Sequence, residues 1–362
     1  MAQVVWAKKN ALSQMSVHDY PLLPLDADAV RLKIESFSVT ANNITYAVIG
    51  NMFGYWNFFP AEGDWGVVPV WGHAVVQASS NPEIAVGERV YGYLPMGTHL
   101  DVIPGKISAG GFTDMAVHRQ PMSPIYNQYS RLIADPEHDA AKEAERMVFG
   151  PLFKTGFLIE AMFRREGWFG GQNLILTSAS SKTAMSLASV AKDLSPNIRR
   201  IGLTSSGNVS FVTQSGLYDE VVAYDDVDTL ANVSSVSVDF AGNSELLRGI
   251  HNALGDDLKY SCLVGATHVE ARGANSAGGS GSDVPGPKPI LFFAPDHAVA
   301  TIGELGPKGF GEAVGARWKS FLRAVDGVVD IHEYKGVEGA ASAFVETLAG
   351  RMDPKKGVII RP

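Results

Sequence analysis

The sequence contains a single cysteine, Cys262, among 362 residues. One thiol excludes an intramolecular disulfide and every zinc site that is built from several cysteines. Cys262 lies in the apolar run CLVGA, where a buried thiol is far more common than a nucleophile. The sequence therefore offers neither a disulfide framework nor a cysteine-based catalytic site.

Clustered positive charge is also missing. The chain has 30 Lys and Arg against 38 Asp and Glu, and its longest basic clusters are Arg199-Arg200 and Lys355-Lys356. A nucleic-acid surface needs many clustered cations to neutralise phosphates. We therefore predict that nucleic acid is not a partner.

Long hydrophobic runs are absent as well. A membrane-spanning helix needs about 18 or more apolar residues in succession, and no window of the sequence approaches this length. The first residues, MAQVVWAKKN, lack the apolar segment of a signal peptide. These features predict a cytoplasmic protein that has no membrane partner.

The glycine-rich turn of nucleotide-binding proteins is missing from the segment where it would be expected. Residues 170–208 have the pattern of one βαβ unit: a buried strand (NLILT), a turn (SASSK), an apolar helix (TAMSLASVAKDL) and a second strand (IRRIGLTSS). Backbone N–H groups at such a helix start can bind a phosphate. The segment is either a phosphate-binding turn or a plain capped helix with a solvated lysine. Its residues are Ser178, Ala179, Ser180, Ser181, Lys182 and Thr183.

The end of the second strand favours the phosphate interpretation. NAD-binding units usually carry an acid about 20 residues after the turn, where it contacts the ribose. Here the strand ends in IGLTSSGN, without an acid, and Thr204, Ser205, Ser206 and Asn208 would suit a 2′-phosphate. The sequence thus predicts NADP(H), with Lys182 or Arg200 as the charge partner.

The chain is long enough for two domains. Strand-like runs separated by turns occupy the first part, whereas strands alternate with helices after the βαβ unit, which indicates a parallel sheet covered on both faces. Residues 271–289 (ARGANSAGGSGSDVPGPKP) form a low-complexity interruption. Composition leaves open whether this interruption is a disordered insertion or a lid.

Large aromatic side chains are concentrated in residues 51–71. They line a pocket for an apolar or planar small-molecule substrate, or they anchor the loop to its own core, and the sequence leaves both interpretations open. The candidate pocket residues are Tyr55, Trp56, Phe58, Phe59 and Trp71.

Several stretches, taken in order, resemble the zinc-free quinone reductase and enoyl reductase branches of the medium-chain dehydrogenase/reductase superfamily. They are VRLKIESFSVTANNITYAVIGN, VPVWGHAVVQAS, VGERVYGYLP, GGFTDMAVH and DPKKGVIIRP. The resemblance implies an α/β fold with a GroES-like β-rich domain (1–128 and 311–362) and a Rossmann domain (129–310) with a doubly wound parallel sheet. It also implies an active site in the cleft between the domains, and a homodimer that pairs through the strand PILFFAPD.

The resemblance further implies that a hydride passes from NADPH to an activated double bond or a quinone. Tyr46 would donate a hydrogen bond or a proton, Asn42 and Asn43 would orient the substrate or the carboxamide, and Thr155 would lie near the nicotinamide. As alternatives, Tyr46 simply packs and one asparagine caps a turn. Reduction of a carbonyl and a non-catalytic NADPH-binding sensor or scaffold are the other functions left open.

A catalytic zinc is not expected. The zinc-containing branches hold the metal with a cysteine and a His-Glu pair, whereas Ala74 follows His73 here and no cysteine lies in this domain. Zinc needs three or four N, S or O ligands. We therefore expect His73 to be a hydrogen-bonded loop residue.

Overall fold

The computed structural model describes residues 1–264 and 284–362. Contacts divide the chain into two compact units, Met1–Val148 with Asp330–Pro362, and Phe149–Val329. The sequence places these boundaries at 128/129 and 310/311, about 20 residues earlier in each case. The expected interruption at 271–289 lies outside the described residues up to position 283. None of the helices in the described ranges has the length and hydrophobicity that a membrane-spanning segment requires.

The strands and helices are numbered along the chain. The strands are β1 Ala2–Lys8, β2 Ala11–Tyr20, β3 Val30–Val39, β4 Trp65–Gly66, β5 Pro69–Ser79, β6 Arg89–Pro95, β7 His99–Val102, β8 Pro104–Ser108, β9 Gly111–Asp114, β10 Gln128–Arg131, β11 Asn173–Leu176, β12 Arg199–Thr204, β13 Glu220–Ala223, β14 Ser235–Asp239, β15 Leu258–Leu263, β16 Ile290–Leu291, β17 Asp330–Lys335 and β18 Lys356–Arg361. The α-helices are α1 Ala41–Val48, α2 Glu143–Arg165, α3 Lys182–Leu194, α4 Val209–Gln214, α5 Ser244–Leu254, α6 Ala294–Ala324 and α7 Val337–Leu348.

The unit that contains both chain ends is rich in β-structure. Its larger sheet has the order β17-β18-β3-β5-β6-β10-β9-β8, with β7 also paired to β3, and a smaller sheet has the order β2-β1-β4. Apolar side chains of β3, β5, β6 and β18 form one core with the inner faces of α1 and α7. Burial of this apolar surface is the main stabilising contribution to the unit.

The other unit contains a six-stranded sheet in which every neighbouring pair is parallel. The strand order is β13-β12-β11-β14-β15-β16. The order reverses between β11 and β14, and nucleotides bind at the carboxyl ends of the strands at such a reversal. The doubly wound arrangement that the sequence predicts is confirmed, and the SASSK turn lies at this position because it directly follows β11.

Two helices contain residues that commonly interrupt a helix. Helix α2 begins at Glu143 and includes Pro151. Proline has no N–H, so the carbonyl of Met147 loses its helical partner while the helix continues on tertiary packing. Helix α6 begins at Ala294 and is interrupted at Gly306, which adopts φ 69° before Pro307. The predicted strand PILFFAPD is therefore only Ile290–Leu291, because its later residues begin this helix.

Candidate active site

The SASSK turn is held by tyrosines that the sequence analysis did not identify. The N–H of Ser178 donates to the hydroxyl of Tyr224 over 3.1 Å, and the hydroxyl of Tyr218 donates to the carbonyl of Ala179 over 2.7 Å. Ser178 adopts φ 49°, a left-handed conformation that favours glycine. Tyrosine hydrogen bonds therefore hold a turn whose first residue has an unfavourable backbone conformation.

The turn also packs closely against strand β12. Ala179 is fully buried, and its N–H donates to the carbonyl of Leu203. A Cβ atom added to Gly202 would lie 2.9 Å from the Cβ of Ala179 and 2.8 Å from the ring of Tyr218. Carbon atoms in van der Waals contact are about 3.5–4.0 Å apart, so only glycine fits at this position of the strand.

Helix α3 begins with free backbone donors. The side chain of Ser181 caps the helix by accepting from the N–H of Ala184 over 3.3 Å. The N–H groups of Ser180 and Thr183 have no acceptor among the described residues. Lys182 is the first residue of the helix. Unpaired N–H groups and the helix dipole at this end favour an anion, and they fit the phosphates of a dinucleotide.

The polar residues after β12 partly match the prediction. The hydroxyl of Thr204 is buried and has no partner among the described residues, and the amide of Asn208 donates to the hydroxyl of Ser180 over 3.4 Å. Ser205 is exposed. The hydroxyl of Ser206, however, donates to the carboxylate of Asp225 over 3.2 Å. The expectation that no acid lies within reach is wrong, because Asp225 follows the neighbouring parallel strand β13.

Two other predicted cofactor contacts are engaged elsewhere. Arg200 forms an ion pair with Asp219 at 2.7 Å near the amino end of β12, so it does not serve as the charge partner at the carboxyl end. The hydroxyl of Thr155 donates to the carbonyl of Pro151 within helix α2 over 3.2 Å. Thr155 as a nicotinamide contact stays a prediction.

In the β-rich unit, the hydroxyl of Tyr46 accepts two hydrogen bonds. The side-chain amide of Asn42 donates to it over 2.8 Å, and the indole N–H of Trp71 donates over 3.0 Å. With both of these bonds accepted, the proton of Tyr46 remains available for a further acceptor. Burial raises the pKa of Tyr46, and Tyr55 raises it further, although the two hydrogen bonds act in the opposite direction. The hydroxyl is therefore protonated at neutral pH.

Asn43 has a capping role instead. Its side-chain oxygen accepts from the N–H of Thr40, and its amide donates to the carbonyl of Pro69 over 2.8 Å. The bond to Thr40 belongs to a capping box at the start of α1, and the bond to Pro69 joins the helix to strand β5. For Asn43, the geometry therefore favours the alternative in which one asparagine caps a turn.

The aromatic residues of the 51–71 segment are largely buried. Tyr55, Trp56, Phe58 and Phe59 are each at most 5% exposed. Tyr55, Phe58 and Phe59 pack with Tyr46, Tyr93 and Met122 in a separate aromatic cluster. Trp71 is only half-buried. Of the predicted pocket residues, Trp71 is therefore the one whose surface is open to a ligand, whereas the other four fill the interior.

His73 lies within strand β5 rather than in a loop, and neither of its ring nitrogens has a partner among the described residues. The expectation of a hydrogen-bonded loop histidine is thus wrong, because β5 extends through this position. Ligand atoms of His73, His138 and Glu143 lie within 4.8 Å of one another, a spacing that could hold a metal ion. Burial lowers the pKa of His73 to about 3, so its imidazole is neutral.

The surrounding charges do not fit a metal ion at this place. Both carboxylate oxygens of Glu143 accept from Arg89, over 2.7 and 2.9 Å. Of the surrounding charges, Glu143 raises the pKa of His73, whereas the guanidiniums of Arg146 and Arg89 lower it. A cation at this place would compete with Arg89 for Glu143 and would bind beside the positive charge of Arg146. We therefore assign no metal to these residues.

The tyrosines and arginines that complete both sites were missed because each is isolated in the sequence. Tyr224 comes directly after β13, so the rule that ligands bind at the carboxyl ends of parallel strands could have identified it. Arg146 and His138 are distant from His73 in the sequence and lie near it only in the folded chain. No local sequence pattern indicates this proximity.

Comparisons with known proteins show the fold of the chain. CurA from Vibrio vulnificus is 14% identical and has a TM-score of 0.63, with 100% of this chain and 98% of CurA covered. CurA has also been solved in complex with NADPH. The mycobacterial protein Rv1454c complexed with NADPH is 12% identical, with a TM-score of 0.56 and complete coverage of both chains.

The yhdH oxidoreductase from Salmonella enterica in complex with NADP is 10% identical, with a TM-score of 0.56 and 99% of each chain covered. The chain therefore shares its fold with CurA, Rv1454c and yhdH, and the α/β fold that the sequence resemblance predicts is confirmed. Among curated proteins, no sequence matches. A family model described as "Protein of unknown function (DUF2855)" matches residues 37–353. Because this match spans most of the sequence, the chain belongs to the DUF2855 family.

Proposed function

We propose that this protein is a zinc-independent reductase that uses NADPH to reduce an activated double bond or a quinone. The observation that carries the proposal is the turn after β11, at the reversal of strand order. There, at the start of helix α3, the N–H groups of Ser180 and Thr183 have no acceptor within the described residues. The similarity to the NADPH complexes of CurA and Rv1454c supports the choice of cofactor. NADPH, when bound, supplies the hydride.

The residues of the turn would hold the phosphates, and Lys182 with Thr204 would favour a 2′-phosphate. Asp225 acts against this preference, because a carboxylate near Ser206 repels a phosphate and attracts a ribose hydroxyl. The balance of Lys182 and Asp225 therefore sets the choice between NADPH and NADH in this proposal.

Tyr46 would supply the proton-donating group. A protonated hydroxyl in a site with little water stabilises negative charge on a substrate oxygen, because hydrogen bonds are electrostatically stronger at low dielectric. As hydride adds to the β-carbon, Tyr46 would donate its proton to the oxygen or carbon that gains the electron pair, and solvent would reprotonate it. Asn42 and Trp71 hold the hydroxyl in position.

Titration with each cofactor tests the nucleotide site. We expect NADPH to bind more tightly than NADH, and Lys182→Gln to weaken NADPH binding roughly tenfold, because it removes one charged contact. Lys192→Gln is the matched control, since Lys192 lies at the other end of the same helix and donates to the carbonyl of Gly216. Binding of neither nucleotide at millimolar concentration would disprove the proposal.

Screening quinones, enones and enoyl thioesters for NADPH oxidation tests the reaction. With any active substrate we expect Tyr46→Phe to lower kcat by about 10² or more while NADPH binding persists, because general acids contribute about 10²–10⁴. Tyr126→Phe is the control, since the Tyr126 hydroxyl bonds to Tyr55 in the same aromatic cluster. Equal losses in the two variants would remove Tyr46 from the proposed mechanism.

A second candidate function is a non-catalytic NADPH-binding sensor. The burial of Tyr55, Phe58 and Phe59 favours it, because side chains of the predicted pocket fill the space that a substrate would use. NADPH binding without turnover of any compound in the same screen would support the sensor.

A homodimer is part of the proposal. Strand β16 is the last strand of the parallel sheet, and Ile290 and Leu291 are 49% and 50% exposed. An exposed apolar edge strand is suited to pairing with a second copy. We expect light scattering to give twice the monomer mass, and Leu291→Lys to yield the monomer.

A further inference from the structure

A second set of polar groups in the β-rich unit has no assigned role. Among the described residues, twelve buried side-chain N and O atoms have no hydrogen-bond partner, and six of these belong to four residues. Native proteins seldom leave such groups unpaired, so their concentration at one place calls for an explanation. We call these four residues the Tyr91 cluster: His73, Tyr91, His138 and Arg146.

Contacts with Tyr91 bring the cluster together. The guanidinium carbon of Arg146 lies 4.1 Å from the ring centre of Tyr91, and the ring of His73 lies 5.0 Å from it. The rings of His73 and His138 are 6.5 Å apart. Strand β5 supplies His73, the adjacent strand β6 supplies Tyr91, and Arg146 lies in the first turn of helix α2.

The unpaired atoms are mainly donors. Nε and Nη1 of Arg146 can only donate, and no described residue accepts the proton of the Tyr91 hydroxyl. Neutral His73 adds one N–H and one acceptor nitrogen. The set therefore has more donors than acceptors, and a ligand that completes it must supply several acceptors.

Nearby carboxylates do not fill this need. Asp135 accepts from Nη2 of Arg146, which leaves the other two nitrogens of the guanidinium unpaired. Glu143 uses both of its oxygens to accept from Arg89. Glu137 also lies near enough to raise the pKa of Tyr91, yet the Tyr91 hydroxyl has no hydrogen-bond partner within residues 1–264 and 284–362. The described part of the chain therefore does not supply the missing acceptors.

We propose that the Tyr91 cluster binds an oxyanion, a carboxylate or phosphate group, of a small-molecule ligand. Each oxygen of such a group accepts hydrogen bonds, and Arg146 is suited to either group because charge-assisted bonds from guanidinium to an oxyanion are strong. Trp71 connects the cluster to the proposed reaction site. Its ring stacks on Tyr91 with centres 5.9 Å apart, and its N–H donates to Tyr46.

This connection indicates that the oxyanion belongs to the substrate, whose reducible group would lie at Tyr46. That part of the inference rests on the proposed reductase function. The binding of an anion by the Tyr91 cluster does not, and it is measured separately.

The first experiment measures anion binding by calorimetry on the full chain without nucleotide, using sodium acetate and inorganic phosphate at constant ionic strength. We expect one of the two to bind at a single site, and Arg146→Lys to weaken it roughly 10- to 100-fold. Lysine keeps the charge that faces Asp135 but lacks the guanidinium donors. Arg164→Lys is the control, because Arg164 is a more exposed arginine of the same helix.

Tyr91→Phe provides a second variant that removes only an unpaired hydroxyl, so it answers the question even if Arg146→Lys does not fold. It should bind the anion several-fold more weakly than the wild type. Binding of acetate tells a carboxylate site from a phosphate site. The proposal is overturned if neither anion binds, if both variants bind as the wild type does, or if a crystal structure contains only water or a metal ion at His73.

The second experiment uses substrate pairs once an NADPH-oxidising compound is known. For an enone acid and its methyl ester, Arg146→Lys should raise the KM of the acid at least tenfold and leave that of the ester unchanged. Equal changes for acid and ester would disprove the substrate role while the reductase function stands. Anion binding without NADPH oxidation by any compound would disprove the reductase function alone.

Discussion

Two buried arginines of the β-rich unit differ in how their guanidiniums are satisfied. Arg119 donates to Asn127, Asp114, Tyr129 and the carbonyl of Tyr126 over 2.8–3.0 Å. Arg146 is nearly as deeply buried, yet only one of its nitrogens has a hydrogen-bond partner among the described residues. A saturated guanidinium stabilises the fold, whereas an unsaturated one costs stability, and such costs are typical of functional sites.

The sharpest test makes the same substitution at both positions. Arg119→Lys should destabilise the protein by about 2–4 kcal/mol, because several buried acceptors lose their donor. Arg146→Lys should change the free energy of unfolding by less than about 1 kcal/mol. Chemical denaturation measures both values. Equal losses would mean that Arg146 is as structural as Arg119.

A pH series tests whether the Tyr91 cluster contains a neutral, desolvated imidazole. Burial lowers the pKa of His73 from 6.5 to about 3, so the unfolded chain binds a proton in this range that the folded chain does not. The contribution of His73 is therefore most favourable above pH 6.5 and is lost as the pH falls, by up to about 1.4 kcal/mol per pH unit.

The measurement compares the wild type with His73→Leu at pH 7, 6 and 5. The stability of the variant relative to the wild type should rise as the pH falls, since leucine takes up no proton. A difference that stays constant across the series would contradict a depressed pKa for His73.

The smallest expected effect comes from a pair of tyrosines. The hydroxyl of Tyr129 donates to the carbonyl of Tyr93 over 2.6 Å and accepts from Arg119, whereas the hydroxyl of Tyr91 has no partner in the part of the chain that the structure describes. Tyr129→Phe should cost about 1–2 kcal/mol, and Tyr91→Phe should be neutral or slightly stabilising. Thermal unfolding of both variants checks this. A clear loss in Tyr91→Phe would indicate that its hydroxyl bonds to ordered water.

The fold was largely predictable from the sequence, because strands and helices follow from hydrophobic periodicity and the alternation after Asn173 fixes a parallel sheet. The SASSK turn was predictable for the same reason. Helix boundaries were less so, because α2 continues through Pro151 on tertiary packing, whereas Gly306 interrupts α6.

The pairings between distant side chains were not predictable. Asp225 reaches Ser206 because β13 lies beside β12, and Arg146 reaches Tyr91 because the start of α2 packs near β6. Such contacts depend on the register of strands and on side-chain rotamers. One sequence fixes neither of these by pattern alone. The burial of a side chain is equally difficult to predict from sequence. For this reason the aromatic residues around Tyr55 were open to two interpretations, a substrate pocket or anchors of the loop.

Gly202 changes how a dinucleotide site can be recognised in a sequence. In a glycine-rich turn, the glycines of the turn itself allow close packing. Here the glycine lies in the adjacent strand β12, and Ala179 of the turn packs where Gly202 has no side chain. A search that requires glycines after the first strand will overlook this solution. A search for a small residue in the turn together with a glycine in the second strand would find such a site. That search would extend the nucleotide-binding pattern to sequences that have no glycine in the turn.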